Sequence, residues 1–313
     1  MIVAVALFAA ALVLGFGAPR WLPRLAAPGT DPRLALVAWV STQVLFVSAL
    51  VGGPLAVVTR PGLWSEQIPL LAASCVRTAR DEGLLPWLPY AETALWTLAG
   101  ALLVRIALVV GRSYRRHRRD SAAHLNLVRI LGEARTSGEV GEVVWLREKS
   151  CAAYSVGGRN GIVVASEGLS VLAPLERRAV LAHEYAHIRG RHHVLVMFGG
   201  ALAAALPFVP LCREGAAWVR VFVELAADRR AAHVCGHEAV RDALIRCSAR
   251  SSTPDPSSHR FVDDRLRWLS RAPRPEWSRR VLAYPLALTV SALPALLTGV
   301  SVIGIVAASC LTV

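Results

Sequence analysis

The sequence predicts an α-helical membrane protein with an α+β cytoplasmic domain, four transmembrane helices and a re-entrant or interfacial hairpin. Of its 313 residues, 54% are apolar and only 18% are charged, which is unusual for a soluble domain. Uncharged runs near both ends of the chain are long enough to span a bilayer, and the region between them is mixed in polarity. We therefore expect the soluble domain to lie between the third and fourth helices.

Three predicted spans precede that domain. Residues 2–18 and 34–59 carry no charge, and residues 93–111 carry only Arg105, so each run approaches the length of a helical span. The first run lacks the basic start and the small-residue cleavage site of a secretory signal. We therefore expect residues 1–111 to form a three-helix membrane region with a retained N-terminal anchor.

Arginines beside the spans predict their orientation. Residues 112–119 contain five arginines, and basic clusters of this kind favour the cytoplasmic side. We therefore expect the N-terminus to be outside and residues 60–90 to form an external loop. Residues 281–313 carry no charge and follow two arginines, which predicts a fourth span with an outside C-terminus. Arg105 lies about two turns inside the third span, so we expect its side chain to snorkel to the headgroups.

The composition also limits the partners and the covalent chemistry. The net charge of +13 is concentrated beside apolar runs, and the basic cluster lacks interleaved aromatic residues apart from Tyr114. We therefore expect the partner to be the lipid bilayer, without direct nucleic-acid contact. Arginine greatly outnumbers lysine, which is typical of GC-rich bacterial coding and favours a bacterial inner membrane. No CxxC pair occurs, so we expect single buried thiols rather than a disulfide framework at the six cysteines, Cys75, Cys151, Cys212, Cys235, Cys247 and Cys310.

The predicted domain, residues 112–280, contains helices and a small sheet. Ser121 can cap a helix that ends near Gly138. Pro174 suits the first turn of a later helix that continues to Arg191. Between them, a glycine-rich turn separates β-rich runs, which predicts an antiparallel sheet built from residues 143–146, 152–156 and 161–165.

The later helix carries a metal-binding pattern. His183 and His187 belong to an HExxH sequence, and histidines at i and i+4 project from one helix face towards a single metal ion. Glu184 lies beside them and can accept a proton from water. The pattern predicts a zinc site with a general base.

A catalytic zinc ion needs a third protein ligand, and two candidates compete. Glu224 opens an ExxxD sequence in which Asp228 lies one turn later and can hydrogen-bond a ligand histidine. His193 completes an HExxHxxGxxH pattern, but that pattern also expects a methionine turn, and the only downstream methionine lies too close. We favour Glu224, and we expect His192 and His193 to be solvated or at headgroup level.

The choice of Glu224 constrains the uncharged residues 194–212. A single membrane crossing there would place Glu224 on the opposite side from His183, and one metal ion cannot be bound across a bilayer. The segment must therefore return to the same face, and its glycines and prolines offer places to bend. We predict a re-entrant or membrane-surface helical hairpin over residues 194–222.

The motifs and their order resemble those of one family. With HExxH at residues 183–187, ExxxD at residues 224–228, three helices before the domain and one after it, the chain resembles the BlaR/MecR family of integral-membrane gluzincin peptidases. Residues 157–166, residues 174–178 and the segment 265–269 also look like that family. The resemblance implies a zincin-like fold for the cytoplasmic domain.

The resemblance also implies a chemistry and a set of residue roles. It implies a zinc endopeptidase in which His183, His187 and Glu224 bind Zn²⁺, Glu184 is the general base and Asp228 orients a ligand. Relatives act in signal transduction by cleaving a winged-helix repressor of the BlaI type or themselves. The best-known relatives continue into an external penicillin-binding domain, whereas this sequence ends after the fourth predicted helix, so we do not expect direct β-lactam sensing.

Cleavage of an extended segment requires a strand partner, and we expect the substrate to pair with the sheet edge at residues 161–165. Three alternatives remain open. A housekeeping membrane zinc protease of the HtpX or Ste24 type shares both motifs, although two spans usually separate them there. A non-catalytic membrane adaptor would use residues 112–119 to bind anionic lipid, and nucleic-acid binding is the third. The oligomeric state is not predicted.

Overall fold

A computed structural model describes residues 2–26, 31–58, 88–131, 134–138, 141–157, 161–248 and 256–270, with positions 289, 292–293 and 295–300. The described part is mostly helical and contains one small sheet. Most of the predicted external loop and most of the predicted fourth span lie outside the described residues.

Two helical segments at the N-terminus match the first predicted spans. Helix α1 (Ile2–Leu12) continues through a π-helical stretch into the short helix α2 (Ala18–Trp21), and helix α3 is Pro32–Val58. Among the described residues, three helical segments are long and apolar enough to cross a membrane, namely Val5–Arg24, Pro32–Gly52 and Thr97–Val128. The structure is therefore consistent with a membrane protein.

Helix α4 (Leu88–Leu131) carries the chain from the third of these segments to the sheet without a break. The prediction of a separate helix capped by Ser121 is wrong, because residues 112–131 contain neither proline nor glycine to interrupt the hydrogen-bond ladder. Strand β1 (Ala134–Gly138) replaces the predicted end of that helix.

The sheet has the strand order β1-β2-β4-β3, with β2 (Gly141–Leu146), β3 (Ala153–Val156) and β4 (Ile162–Ser166). β2 pairs with β4 in parallel, so the prediction of an antiparallel sheet is wrong for this pair. All five residues of β4 are buried, as expected for a strand with neighbours on both sides. The prediction that residues 161–165 form the edge is therefore also wrong, and β3 is an edge strand.

Helix α5 (Pro174–Arg189) starts as predicted. The Ala173 amide donates a hydrogen bond to Glu176 Oε2 at 3.0 Å, which satisfies one of the free N–H groups at the start of the helix. The helix ends at Gly190, and Arg191 adopts a left-handed conformation with φ of 50°. This sharp turn directs the chain into the next helix.

Helices α6 (His192–Ala205) and α7 (Pro210–Cys235) form a helical hairpin. A Cβ atom added at Gly199 would lie 3.6 Å from Ala216 Cα, so the helices pack closely on either side of the turn. The hairpin shares a buried apolar core with α1 and α3. The hairpin therefore brings α7 back to α5, and the position of the hairpin relative to a bilayer stays a prediction.

Arg105 binds the turn of this hairpin. Its Nε donates to Ala205 O at 2.6 Å and its Nη2 donates to Ala204 O at 3.3 Å. The expectation that Arg105 snorkels to the headgroups is wrong, because carbonyl groups in the last turn of α6 lack intrahelical donors and attract the guanidinium.

Two further helices complete the described domain. Helix α8 (His237–Ser248) packs against α5 and α7, and helix α9 (Pro256–Ser270) packs against α7 and α8. Small and branched apolar residues fill this part of the core, including Ala179, Ala231 and Val240. Helix α9 thereby reaches the helix that carries Glu224.

A disulfide joins Cys151, just before β3, to Cys247 on α8. The expectation of single thiols is wrong for this pair, because packing of α8 beside the sheet joins positions that are 96 residues apart in sequence. Cys212 and Cys235 are free buried thiols, as expected. Cys75 and Cys310 lie outside the described residues.

Candidate active site

Three donor side chains from two helices meet beside the sheet. His183 Nε2 and His187 Nε2, both on α5, lie 3.1 Å apart. Glu224, on α7, places Oε2 3.3 Å from His183 Nε2 and Oε1 3.6 Å from His187 Nε2. All three donor atoms lie within 4.8 Å of one another, so the group could hold one metal ion.

The hairpin brings the carboxylate to the histidines. The histidines share a face of α5 because they are four residues apart. Glu224 lies on the returning helix α7, which packs along both α5 and α6. Glu224 can therefore reach the histidines only because the hairpin brings α7 back beside α5.

Zinc fits this donor set. Two imidazole nitrogens and one carboxylate oxygen form a common ligand set of catalytic zinc, which leaves one position for water. The second nitrogen of each ring is also held, since His183 Nδ1 lies 2.9 Å from Asp228 Oδ1 and His187 Nδ1 lies 3.1 Å from His192 Nδ1. Outer contacts of this kind direct the remaining nitrogen towards the metal position.

Arg265 on α9 holds Asp228 in place with two short hydrogen bonds. Its Nε lies 2.7 Å from Asp228 Oδ2 and its Nη2 lies 2.6 Å from Asp228 Oδ1. Burial opposes ionisation of Asp228, but the Arg265 guanidinium and then His183 lower the pKa of its carboxyl. Arg265 also places Nη1 3.9 Å from Glu224 Oε2. Arg265 lies outside both zinc motifs, and its only signal in the sequence was the family-like segment 265–269.

The histidines have opposite protonation behaviour. Burial disfavours charge on His183, but hydrogen bonds with Asp228 and Glu224 raise its pKa to about 10. Burial and the neighbouring His183 lower the pKa of His187 to about 3. This difference in pKa favours the extra proton on His183 when metal is absent. The proton on Nε2 of His183 then has to leave when Nε2 binds a cation.

Glu184 lies next to the donor group on α5. Burial raises the pKa of its carboxyl, while the neighbouring His183 partly opposes this rise. A carboxyl whose pKa is raised towards neutrality can both accept and return a proton. The position is therefore suited to general-base chemistry.

The expectation of solvated positions is wrong for His192, which is 7% exposed. The turn at Arg191 folds the start of α6 back onto α5, so the rings of His187 and His192 lie with their centroids 4.8 Å apart. His193 Nε2 lies 3.1 Å from Ser155 Oγ. Among the described residues, His193 is not part of the group that could hold a metal.

Comparison with known protein families gives a match for part of the chain. Residues 124–221 match the family model of peptidase family M48. This region covers less than half of the chain and contains His183, Glu184 and His187, while Glu224 follows it. No curated protein and no solved structure matches the chain.

The match supports a membrane-type zinc peptidase family without selecting the BlaR/MecR family. The cluster of His183, His187 and Glu224 agrees with it, because these residues could bind the metal of such an enzyme. Apolar helices long enough to span a membrane agree with a membrane location. The HtpX/Ste24-type alternative fits the M48 match equally well.

Proposed function

We propose that this chain is a membrane-bound zinc endopeptidase in which His183, His187 and Glu224 hold Zn²⁺ and Glu184 is the general base. The observation that carries the proposal is the convergence of the three donor atoms within 4.8 Å beside the carboxyl of Glu184. A purely structural zinc site needs no base there and usually has four protein ligands. This argues against the non-catalytic adaptor.

The metal and each residue of the proposed site have a separate role in peptide hydrolysis. Bound Zn²⁺ would supply Lewis acidity that activates the attacking water and stabilises negative charge on the scissile carbonyl. Glu184 takes a proton from the attacking water and returns it to the leaving amine nitrogen. Asp228 Oδ1 faces His183 Nδ1 at 2.9 Å, which leaves Nε2 as the coordinating atom. Arg265 keeps Asp228 ionised for this task.

The substrate is proposed to pair with β3 (Ala153–Val156) as an additional strand. Among the described residues β3 pairs only with β4, and an edge strand of this kind can accept a further strand on its other side. The strand packs against α5, the helix that carries Glu184. An extended peptide paired there would pass beside the general base.

Two substrate classes follow from the two resemblances. The BlaR/MecR resemblance supports cleavage of a cytoplasmic BlaI-like repressor, or of the enzyme itself, in signal transduction. The M48 match supports equally a housekeeping peptidase of the HtpX/Ste24 type. Cleavage of a co-expressed winged-helix repressor by the wild type, and not by Glu184→Gln, would favour the signalling role.

The proposed orientation places the domain in the cytoplasm of a bacterial inner membrane, with both termini outside. Arg229 Nη1, beside the site, lies 3.3 Å from Asp31 Oδ1 at the start of α3, which supports a domain on the face where α3 begins. In a background in which Cys75 and Cys310 are replaced by serine, a cysteine introduced at Arg115 should react with an impermeant maleimide only after lysis. Reaction in intact cells would place the domain outside, where a disulfide such as Cys151–Cys247 persists.

The first experiment measures metal content by mass spectrometry in detergent-purified protein. We expect one zinc ion per wild-type chain, loss of zinc in Glu224→Ala, and retention in His193→Ala and Glu184→Gln. Glu184→Gln should also reduce cleavage of fluorescein-labelled β-casein by roughly 10²- to 10⁴-fold. Loss of zinc in His193→Ala with retention in Glu224→Ala would move the third ligand to His193. Absence of zinc from every form would favour the adaptor.

A further inference from the structure

A buried histidine outside the donor group contacts one of the two candidate ligand histidines. His192, the first residue of α6, is 7% exposed. Its Nδ1 lies 3.1 Å from Nδ1 of His187, and the two rings meet edge to face at an interplanar angle of 89°. Nε2 of His187 is the atom that lies near Glu224. The contact with His192 therefore uses the nitrogen of His187 that is not needed for the metal.

The donor inventory of the two rings fixes the direction of this hydrogen bond. A neutral imidazole has one N–H group and one acceptor nitrogen. If Nε2 of His187 binds a cation, the single N–H of His187 is at Nδ1 and has to be donated to His192. His192 then accepts through Nδ1 and carries its own proton on Nε2. The opposite arrangement would leave the only N–H of His187 on Nε2, where it would block coordination.

The two candidate ligand histidines therefore have different outer partners. His183 Nδ1 faces Asp228 Oδ1 at 2.9 Å, whereas His187 Nδ1 faces a second imidazole. The free N–H of a ligand histidine is usually held by a carboxylate, a backbone carbonyl or water, and this partner orients the ligand ring. His192 occupies the place of that partner at His187. Loss of its acceptor nitrogen would remove the group that orients the His187 ring.

Gly190, between the two histidines in the chain, leaves the space that the His192 ring occupies. A Cβ atom at Gly190 would overlap His192 Nε2 and lie 2.5 Å from His192 Cδ2. Gly190 has φ of −78° and ψ of −4°, so its backbone conformation alone does not require glycine. Arg191, with φ of 50°, then turns the chain so that His192 lies against α5. Alanine at position 190 would therefore displace the His192 ring without removing it.

We propose that His192 is a positioning residue that holds His187 for metal binding by accepting the N–H of its Nδ1, and that Gly190 makes room for the accepting ring. The inference rests on the proposed metal site. It gives the turn at residues 190–192 a second role. The turn directs the chain into the hairpin that carries Glu224, and it also fixes the orientation of another ligand of the same ion.

The first test measures the zinc affinity of full-length, detergent-purified protein by competition with a chelating dye. His192→Leu has no acceptor, and we expect it to lower zinc affinity about 10- to 100-fold. Asparagine has the same branching as leucine, and its Oδ1 lies two bonds from Cβ, as Nδ1 of histidine does. His192→Asn should therefore restore most of the affinity. His193→Leu is the matched control, because His193 is not part of the donor group, and it should bind zinc like the wild type.

Two further measurements separate this hydrogen bond from general packing. Gly190→Ala should lower zinc affinity as His192→Leu does, but Gly190→Ala/His192→Ala should bind zinc no more weakly than His192→Ala, because the displaced ring is already absent. In zinc-loaded protein labelled with ¹⁵N-histidine, the signals that are lost in His192→Asn belong to His192. They should show a proton on Nε2 and none on Nδ1.

Several results would overturn the role of His192. They are wild-type zinc affinity in His192→Leu, equal losses in His192→Leu and His192→Asn, additive losses in the double variant, and a proton on Nδ1 of His192. Zinc affinity that depends on the His192 acceptor, together with no Glu184-dependent cleavage of fluorescein-labelled β-casein, would refute the peptidase and retain the role of His192. Glu184-dependent cleavage with equal zinc affinity in the wild type and His192→Leu would do the reverse. Absence of zinc from the wild type would overturn both.

Discussion

Replacement of Arg265 by methionine tests how strongly the outer contacts support the site. Arg265 and Asp228 are 14% and 2% exposed at their side chains and share two hydrogen bonds of 2.6 and 2.7 Å. Removal of one partner from a buried pair costs about 3–5 kcal/mol. His183 still contacts Asp228 in the variant, so we expect the lower value, about 3 kcal/mol. For a domain such as residues 112–280, a loss of about 3 kcal/mol corresponds to a fall of roughly 6–12 °C in Tm.

The assay is thermal unfolding of the detergent-purified protein, with zinc content measured on the same samples. Arg267→Met on the same helix is the matched control, because Arg267 and Asp264 form an exposed pair with N–O distance 3.3 Å. Exposed pairs contribute about 0–1 kcal/mol, so this variant should unfold close to the wild type. Zinc affinity should fall about 10- to 100-fold in Arg265→Met only. Equal Tm and zinc content in the two variants would refute the reasoning.

Three further predictions concern the hairpin, the metal and the disulfide. Arg105→Met removes the donors to Ala205 and should lower the free energy of unfolding by about 1.5–3 kcal/mol, whereas Arg112→Met, at an exposed position, should be neutral in the same denaturant titration. Because the pKa of metal-free His183 is about 10, zinc must displace a proton from this side chain. Competition with a chelating dye should therefore show that zinc affinity rises about tenfold per pH unit from roughly pH 6 to 8. A zinc affinity that does not change with pH would contradict this prediction. Cys247→Ser removes a disulfide that links positions 96 residues apart, and it should lower the free energy of unfolding of the oxidised protein by up to about 4.7 kcal/mol. A reductant should lower the Tm of the wild type to that of the variant. A wild-type Tm that the reductant leaves unchanged would show that the disulfide is not formed.

The predictable parts of the site depend on local geometry. His183 and His187 share a face because helical periodicity fixes positions four residues apart. Glu224 was favoured over His193 because the pattern that includes His193 also expects a methionine turn, and the only downstream methionine lies too close. With Glu224 as a ligand, one metal ion cannot bind side chains on opposite faces of a bilayer. That argument required residues 194–212 to turn back, and the structure contains the turn at residues 206–209 between α6 and α7. The exclusion of a single membrane crossing thus predicted the hairpin, which the zinc motif alone does not predict.

The remaining parts depend on contacts between distant segments. The runs that became β2 and β4 were visible in the sequence, but their parallel pairing depends on β4 lying between β2 and β3. The unbroken apolar run at residues 162–165 was the available sequence signal of a central strand. Arg265 had no motif of its own, since it acquires its role by a contact with Asp228, which is 37 positions away. Periodicity carries no information about such pairs.

The third donor depends on the membrane-type helices as well as on the domain. Trp39 on α3 is fully buried, and its ring stacks on Trp218 of α7 with centroids 6.1 Å apart. Trp218 in turn stacks on Phe222, two residues before Glu224, with centroids 5.5 Å apart. The histidines, in contrast, lie on α5, which packs against the sheet. Each side of the metal position is therefore held by a different layer of the fold, and displacement of α3 relative to the sheet would change the distance between the carboxylate and the two imidazoles.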